Sequence, residues 1–466
     1  MQPARSIFKA YDIRGVVDDT LTESVVQSIG TALGVMIHRA GKRSCVLGRD
    51  GRLSGPRLVD ALAQGLMSAG VDVVDIGQVP TPVVYFATVD TGSGTGVAVT
   101  GSHNPPQYNG LKMMVAGATL WGADIQALYE LIVSGQAQAH VASITATQQG
   151  RRIHDSQMVQ TYVTALLRDV TLSRRMRIAI DAGNGVAGGV APGLLAQLGC
   201  DVQALFCEVD GTFPNHHPDP AHVENLQDLI DCVRSGPAEI GLAFDGDGDR
   251  LGVVTKSGAI IWPDRQLMLY AEDVLNANPG GQIIFDVKCT RHVATWVRAH
   301  GGVPLMWKTG HSLIKAKLKE TGAPLAGEMS GHIFFNDRWF GFDDALYTAA
   351  RLLEILSRSS DPSRVLESLP DSTATPELQL ATAEGENFTL VDRLREQGSF
   401  PTAVERITID GIRVEYSDGF GLARPSNTTP VVVLRFEADN PEALARIQAE
   451  FRMNFQALIP NAVLPF

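Results

Sequence analysis

The chain lacks paired cysteines, a long apolar run and any excess of positive charge, and each shortage removes a class of protein. Its 5 cysteines, Cys45, Cys200, Cys207, Cys232 and Cys289, are scattered with no CxxC pair. An odd, dispersed set reads as reduced, buried thiols and excludes a disulfide framework. No apolar stretch approaches the ~18 to 20 residues of a membrane span. The opening MQPARSIFKAYDIRG has no apolar signal core, so a cytoplasmic protein without a membrane partner is expected. The 39 Lys and Arg against 51 Asp and Glu leave a formal charge of −12, the wrong sign for a phosphate-backbone binder. Nucleic acid is therefore not an expected partner. No Walker A pattern occurs, which argues against a nucleotide kinase.

What the chain has is length and apolar surface. Its 466 residues, 44% of them hydrophobic, are about three times a ~150-residue domain, so several packed cores are expected and wholesale disorder is excluded. The pattern is apolar strand, loop, helix, strand, and it repeats three times. A β-branched strand ends in Asp at residues 46–50, 178–181 and 283–286. A helix follows each and runs into Gly70, Gly199 or Gly301, where a residue without Cβ suits a left-handed cap. A second strand then begins at 71–76, 201–206 and 303–307. A third apolar stretch, at 96–100, 241–244 and 324–326, opens into the loops TGSHNP, DGDGDR and GEMSGH. Ligands of open α/β sheets bind beyond the carboxyl ends of strands, so three related domains could aim three loops at one cleft. The last ~90 residues differ. Residues 407–416 and 431–438 read as period-2 strands flanking GFGLARPSNTTP, and a final helix places Leu444, Ile447 and Phe451 on one face, a smaller α+β domain. Polar stretches at 134–152 and 357–377 read as linkers, and the expected domains are 1–152, 153–257, 258–370 and 371–466.

The loops carry the chemistry. Ser102, in Thr100-Gly101-Ser102-His103-Asn104-Pro105, follows a strand in a turn that glycine tightens and proline ends, so its hydroxyl is expected to be presented rather than buried. An acyl-transfer elbow would need G-x-S-x-G, and position 104 is Asn. Asp245, Asp247 and Asp249 alternate with glycines that let all three carboxylates face one point, where they repel unless a hard divalent cation sits among them. An EF-hand is excluded by Arg250 and Lys256 at its Gly and Glu positions; a solvated acidic turn is the bland alternative. Serine and triad together fit phosphoryl transfer, with Mg²⁺ neutralising the transferring group and phosphoserine as the remaining anionic ligand. Arg14, Lys112, Arg250, Lys288 and His311 are candidate cations and proton carriers, though each alone matches an ordinary surface or helix-end residue. Glu328 and Ser330 suit two neighbouring sugar hydroxyls or simply a polar turn. Arg424, Ser426, Asn427, Thr428 and Thr429 match a phosphate dianion.

The four segments TGSHNP, DGDGDR, GEMSGH and RPSNTTP, in this order across the whole chain, resemble the α-D-phosphohexomutase superfamily. FKAYDIRG, FPNHHPDP, FDVKCT, MWKTGHS and VVVLRFEA are similar to its bacterial bifunctional phosphomannomutase/phosphoglucomutase branch. The resemblance implies a heart-shaped monomer of three related α/β mixed-sheet domains and a mobile α+β C-terminal domain around a central cleft. It implies that Ser102 is phosphorylated and, with Asp245, Asp247 and Asp249, holds Mg²⁺. Glu328 and Ser330 would then contact sugar O3 and O4, and Arg424, Ser426, Asn427 and Thr428 the non-transferring phosphate. Tyr11, Arg14, Lys112, Arg250, Lys288, His311 and His332 would be the surrounding substrate-binding and proton-transfer groups. The implied reaction interconverts the 6- and 1-phosphates of mannose and of glucose. It passes through a hexose 1,6-bisphosphate, which as glucose 1,6-bisphosphate is also the activator. Phosphoglucosamine mutases carry a close variant of GEMSGH and are the alternative. Pro425 departs from the small residue usual after the arginine; because proline fixes φ, loop mobility and hence rate are where it would act.

Overall fold

A computed structural model describes residues 2–466. The repeat seen in the sequence is a repeat of strand order. In the first sheet Ser44–Arg49 lies parallel between Asp72–Gln78 and Gly96–Val99, and Tyr108–Val115 closes antiparallel on Gly96–Val99. The second sheet sets Met176–Asp181 between Cys200–Leu205 and Ile240–Phe244, with Leu251–Thr255 antiparallel beyond. The third sets Gln282–Asp286 between Val303–Trp307 and Leu325–Gly327, with Ile333–Phe335 antiparallel beyond. In each, the functional loop is the turn from the third, parallel strand into the antiparallel fourth. One architecture therefore presents three different loops at the same sheet end. The helices end at Gly70, Gly199 and Gly301 with φ of +85°, +110° and +77°, as their lack of Cβ permits.

The fourth sheet is antiparallel, with Val431–Ala438, Gly419–Pro425, Ile412–Tyr416 and Glu405–Ile407 adjacent in that order. Its helix Pro441–Leu458 buries Ile447 and Phe451 fully. Three readings are corrected here. GFGLARP is a strand rather than part of a loop; its alternation is hidden because Gly421 leaves room for the Phe451 ring, which a Cβ would meet at 2.4 Å. The polar stretch 134–152 is not a bare linker. It forms the helix Gln136–Ser143 and ends in Arg152–His154, which pairs with Asp72–Gln78 in the first sheet. The stretch 357–377 likewise contains the helix Pro362–Glu367, capped by Asp361.

The first three units share a core. Phe86, Tyr162, Trp339 and Tyr347, drawn from three units, pack ring against ring, Trp339 on Tyr347 at 4.4 Å and Phe86 on Tyr162 at 5.4 Å. The fourth unit has its own core and meets the third through a small apolar cluster, Val287, Phe420 and Leu422, together with ion pairs. All 5 cysteines are free, 3 of them buried, and no helix of the described residues is long and apolar enough to cross a membrane.

Helices Glu23–Arg39 and Gly55–Ser68 cross at glycine. A Cβ on Gly65 would lie 2.2 Å from the Gln27 carbonyl oxygen and one on Gly30 2.5 Å from that of Leu62. Backbone cannot swing aside as a side chain can, so Gly65→Ala is expected to destabilise the first unit by ~1 to 3 kcal/mol through overpacking. Scanning calorimetry checks this, and an unchanged Tm would refute so close a crossing.

Candidate active site

The serine loop and the aspartate loop are in contact. Ser102 has φ +50°, unusual for a residue with a Cβ, and its N–H donates to Thr100 Oγ1 at 2.8 Å. Its Oγ lies 3.1 Å from His103 Nδ1 and 3.5 Å from Asp245 Oδ2. Contrary to the expectation of a presented hydroxyl, Ser102 is only 2% exposed, because the aspartate loop covers it. The covering loop needs glycine at 246, where a Cβ would fall 2.4 Å from the Ser102 carbonyl oxygen.

The aspartate loop curls around its own first carboxylate. Asp245 Oδ1 accepts the N–H groups of Gly248, Asp249 and Arg250 at 3.0 to 3.1 Å. Asp247 Oδ2 accepts from Thr81 at 2.7 Å and Lys112 Nζ at 2.8 Å, and Asp249 Oδ2 from the same Nζ at 2.5 Å. Burial works against the charge on Lys112, but the two carboxylates outweigh it and raise the ammonium well above its usual pKa. Of the other oxygens, Asp247 Oδ1 is buried with no donor, and Asp249 Oδ1 is buried with the His332 ring nitrogen 3.4 Å away. Unpartnered anionic oxygens in a dry site are costly. Burial, with Asp249 and Asp247 alongside, pushes Asp245 well above the carboxylate range. One ligand atom from each aspartate can be chosen so that all three lie within 4.8 Å of one another. An oxygen-only donor set with an orphaned anionic atom fits a hard divalent cation.

The third loop joins them. His332 Nε2 lies 3.4 Å from Asp249 Oδ1 and 3.3 Å from Arg250 Nε, while its Nδ1 lies 3.2 Å from Glu328 Oε2 and 3.0 Å from Ser330 Oγ. Burial would lower its pKa, but Asp249 and Glu328 overcome burial and raise it to about 9. Glu328 Oε1 accepts the Gly310 N–H at 2.6 Å, at the start of the helix His311–Thr321. The His311 ring, 5.6 Å from that of His332, is held well below its usual pKa by burial and by Lys315 and Lys112, so it is neutral.

The fourth unit closes over this centre. Asn427 donates to the Tyr11 hydroxyl, which donates to the Thr309 carbonyl at 3.1 Å; burial pushes that hydroxyl up to about 12. Arg424 Nε pairs with Asp410 at 2.9 Å and Lys288 with Glu377 at 2.9 Å. Ser426 Oγ accepts the N–H groups of Thr428 and Thr429, folding RPSNTTP into a turn. A cavity of about 600 Å³ opens outside the Tyr11–Asn427 contact, lined also by Trp121, Trp307 and Phe388. Neither Ser102 nor Asp245, Asp247 or Asp249 lines it.

These four loops, one per unit in one order, coincide with matches to four models of one family. Phosphoglucomutase/phosphomannomutase alpha/beta/alpha domains I, II and III match residues 5–139, 160–258 and 262–373, and its C-terminal domain matches 377–453. The chain belongs to the phosphoglucomutase/phosphomannomutase family. A phosphoglucomutase of Neisseria meningitidis serogroup A is 54% identical over 99% of both chains. A phosphomannomutase/phosphoglucomutase of Pseudomonas aeruginosa PAO1 is 51% identical over 99% of this chain and 98% of that one. The crystal structure of a family protein from Burkholderia thailandensis superposes with a TM-score of 0.93 at 58% identity, covering 100% of each.

The structure brings many of the residues expected in the site together in two groups, with Glu328 and Ser330 joined to the first through His332. Ser102, Arg14, Lys112, Asp245, Asp247, Asp249, Arg250 and His332 form one network. Arg424, Ser426, Asn427 and Thr428 stand across the cleft with Lys288 and Tyr11. Sequence reasoning missed Asp50, Arg52, Thr81, His217 and Asp343. Arg52 follows the first Asp-ending strand, so the strand repeat was its available signal; the others only become neighbours through tertiary contacts.

Proposed function

We propose that this enzyme, a hexose phosphate mutase, interconverts the 6- and 1-phosphates of glucose and of mannose through phosphorylated Ser102. The observation that carries this is Ser102 Oγ beside Asp245, whose carboxylate clusters with those of Asp247 and Asp249. In the forward half the Ser102 Oγ–P bond breaks, a bond forms from phosphorus to the free sugar hydroxyl, and that hydroxyl loses its proton. His311, whose ring lies 5.6 Å from that of His332, would take it. The hexose 1,6-bisphosphate turns end for end, and the opposite phosphoryl returns to Ser102 as its P–O bond to the sugar breaks and that oxygen regains a proton. Asp245, Asp247, Asp249 and the seryl phosphoryl oxygen would hold Mg²⁺, which when bound neutralises charge on the transferring group. Arg14, Lys112 and Arg250 add fixed positive charge around the same oxygens.

Glu328 and Ser330 would receive sugar O3 and O4, contacts that do not read the configuration at O2. Arg424, Ser426, Asn427, Thr428, Lys288 and Tyr11 would grip the resting phosphate. The phosphate would displace Asp410 from Arg424 and Glu377 from Lys288, exchanging one anion for another. One loop would come from each of the units 1–152, 153–257, 258–370 and 371–466, so a monomer suffices, and the proposed setting is the cytoplasm. Closure would keep water, a competing acceptor, from the phosphoserine.

Coupled assays on glucose, mannose and glucosamine 1-phosphates test the reading: turnover of the first two is expected. Turnover of the amino sugar alone would favour a phosphoglucosamine mutase. Because Arg424 anchors a phosphate that does not react, Arg424→Ala is expected to raise KM by about 10- to 100-fold and to lower kcat much less. Steady-state kinetics decide this, and a selective fall in kcat would contradict an anchoring role.

A further inference from the structure

Arg52 is 1% exposed and is not among the residues of the proposed mechanism, yet its guanidinium uses all of its N–H groups on one loop and its support. Nη2 donates to the carbonyls of Ser102 at 2.9 Å and Asn104 at 2.5 Å. Nη1 donates to those of Pro105 at 2.6 Å and Tyr108 at 2.9 Å, and Nε donates to Asp50 Oδ2 at 3.1 Å. The same Asp50 oxygen accepts the Gly101 N–H at 3.0 Å and the Thr100 hydroxyl at 2.9 Å. The fork lies flat beneath the turn, since a Cβ on Gly101 would come within 2.3 Å of its central carbon, and the Phe213 ring of the second unit lies 5.3 Å from that carbon. From the second unit, His217 also contacts the His103 carbonyl. Four successive carbonyls, 102 to 105, thus each meet a side-chain donor.

We infer that Arg52 is a positioning residue for phosphoryl transfer, holding Ser102 Oγ in register with Asp245 by pinning the carbonyls of the serine loop on one planar fork. This rests on the proposed phosphoserine cycle. In that cycle Ser102 alternates between a neutral hydroxyl and a phosphoryl group of about −1.5 to −2 charge. Carbonyl oxygens free to rotate would turn with each change of charge, away from the anion and back. Bound to a buried guanidinium they keep one orientation in both states, so the oxygen attacked and the oxygen released stay in one place. Lysine keeps the charge but has three donors around a point instead of five in a plane, and cannot hold the same set.

The test is a single turnover. Dephosphorylated enzyme is mixed with glucose 1,6-bisphosphate and quenched for intact mass; the Oγ–P bond forms, a sugar P–O bond breaks and the seryl proton ends on the sugar oxygen. The rate constant reports the position of Oγ, whereas the amplitude reports the fraction of folded protein. For Arg52→Lys the rate constant is expected to fall about 100-fold, the loss typical of an ångström-scale misplacement. Its KM for glucose 1-phosphate should stay near that of the wild type, because the anchoring loop is untouched. Gly101→Ala, which pushes a methyl group onto the guanidinium, should give the same split. A wild-type rate constant with reduced amplitude in Arg52→Lys would mark a purely structural residue and overturn the inference. If Arg52→Lys yields no folded protein, Gly101→Ala decides: a slowed rate constant supports the inference and an unchanged one overturns it. Wild-type enzyme that takes up no phosphoryl group would overturn the phosphoserine cycle, and this inference with it.

Discussion

Ser102→Ala is expected to abolish isomerisation, lowering kcat by roughly 10⁴-fold or more, while leaving the fold intact. The hydroxyl is the only atom lost, and it makes two contacts, at 3.1 Å to His103 and 3.5 Å to Asp245. Only the shorter has ordinary hydrogen-bond length, so stability should change by no more than about 1 kcal/mol. Catalysis has no such margin, since every phosphoryl group in the proposed cycle passes through Oγ. Intact mass gives the companion result: a resting wild-type population heavier by one phosphoryl group, discharged by glucose 6-phosphate, and an alanine variant that is never heavier. An alanine variant turning over at the wild-type rate would sink the phosphoserine cycle. Inorganic phosphate released faster than sugar is isomerised would identify a phosphatase instead.

Stripping divalent metal should have an effect of similar size. Three buried aspartates meet at the centre with Lys112, whose ammonium spans Asp247 and Asp249; Arg250 and His332 flank Asp245 and Asp249, and Asp247 Oδ1 is left without a donor. Cations fixed at the edge of the cluster do not separate three carboxylates from an incoming phosphoryl group of about −1.5 to −2 charge, which a divalent cation among them would do. Chelation by EDTA is therefore expected to reduce turnover by about 10³-fold or more, with Mg²⁺ restoring it. A readout independent of activity accompanies it: Mg²⁺ at about 100 times its Kd should stabilise the folded protein by about 2.7 kcal/mol, seen as a higher Tm. Asp247→Asn should weaken that thermal response. Turnover and Tm both indifferent to EDTA would show that the carboxylates hold no catalytic metal.

The two groups of site residues differed in how far they could be read without coordinates. DGDGDR declares itself because alternating carboxylates and glycines have few other uses, and the loop does curl as the glycines allow, with Gly248 at φ +76°. Ser102 was legible as a turn residue, but its burial was not, because the atoms that cover it belong to Gly246 and its neighbours in another unit. The His103 ring lies 3.1 Å from Ser102 Oγ, a contact that adjacency in the chain does not by itself imply. Burial and the cations Arg250, Arg14 and Lys112 hold its pKa well down, so it stands there as a neutral ring. GFGLARP misled for the opposite reason: small residues chosen to admit Phe451 erase the apolar alternation that marks a strand.

The amino-acid order by itself determined the strand-helix-strand repeat, the four loops and their chemistry, since period, turn residues and charge are local properties written along the chain. Only the tertiary structure decided that Ser102 lies against Asp245, that His332 bridges Asp249 and Glu328, and that Arg52 carries the serine loop. Except for His332 and Glu328, four positions apart, these contacts join residues far apart in the chain. Their distances depend on how three repeated sheets share one core and on how the fourth unit closes over it, and close packing, unlike periodicity, is a property of the whole molecule.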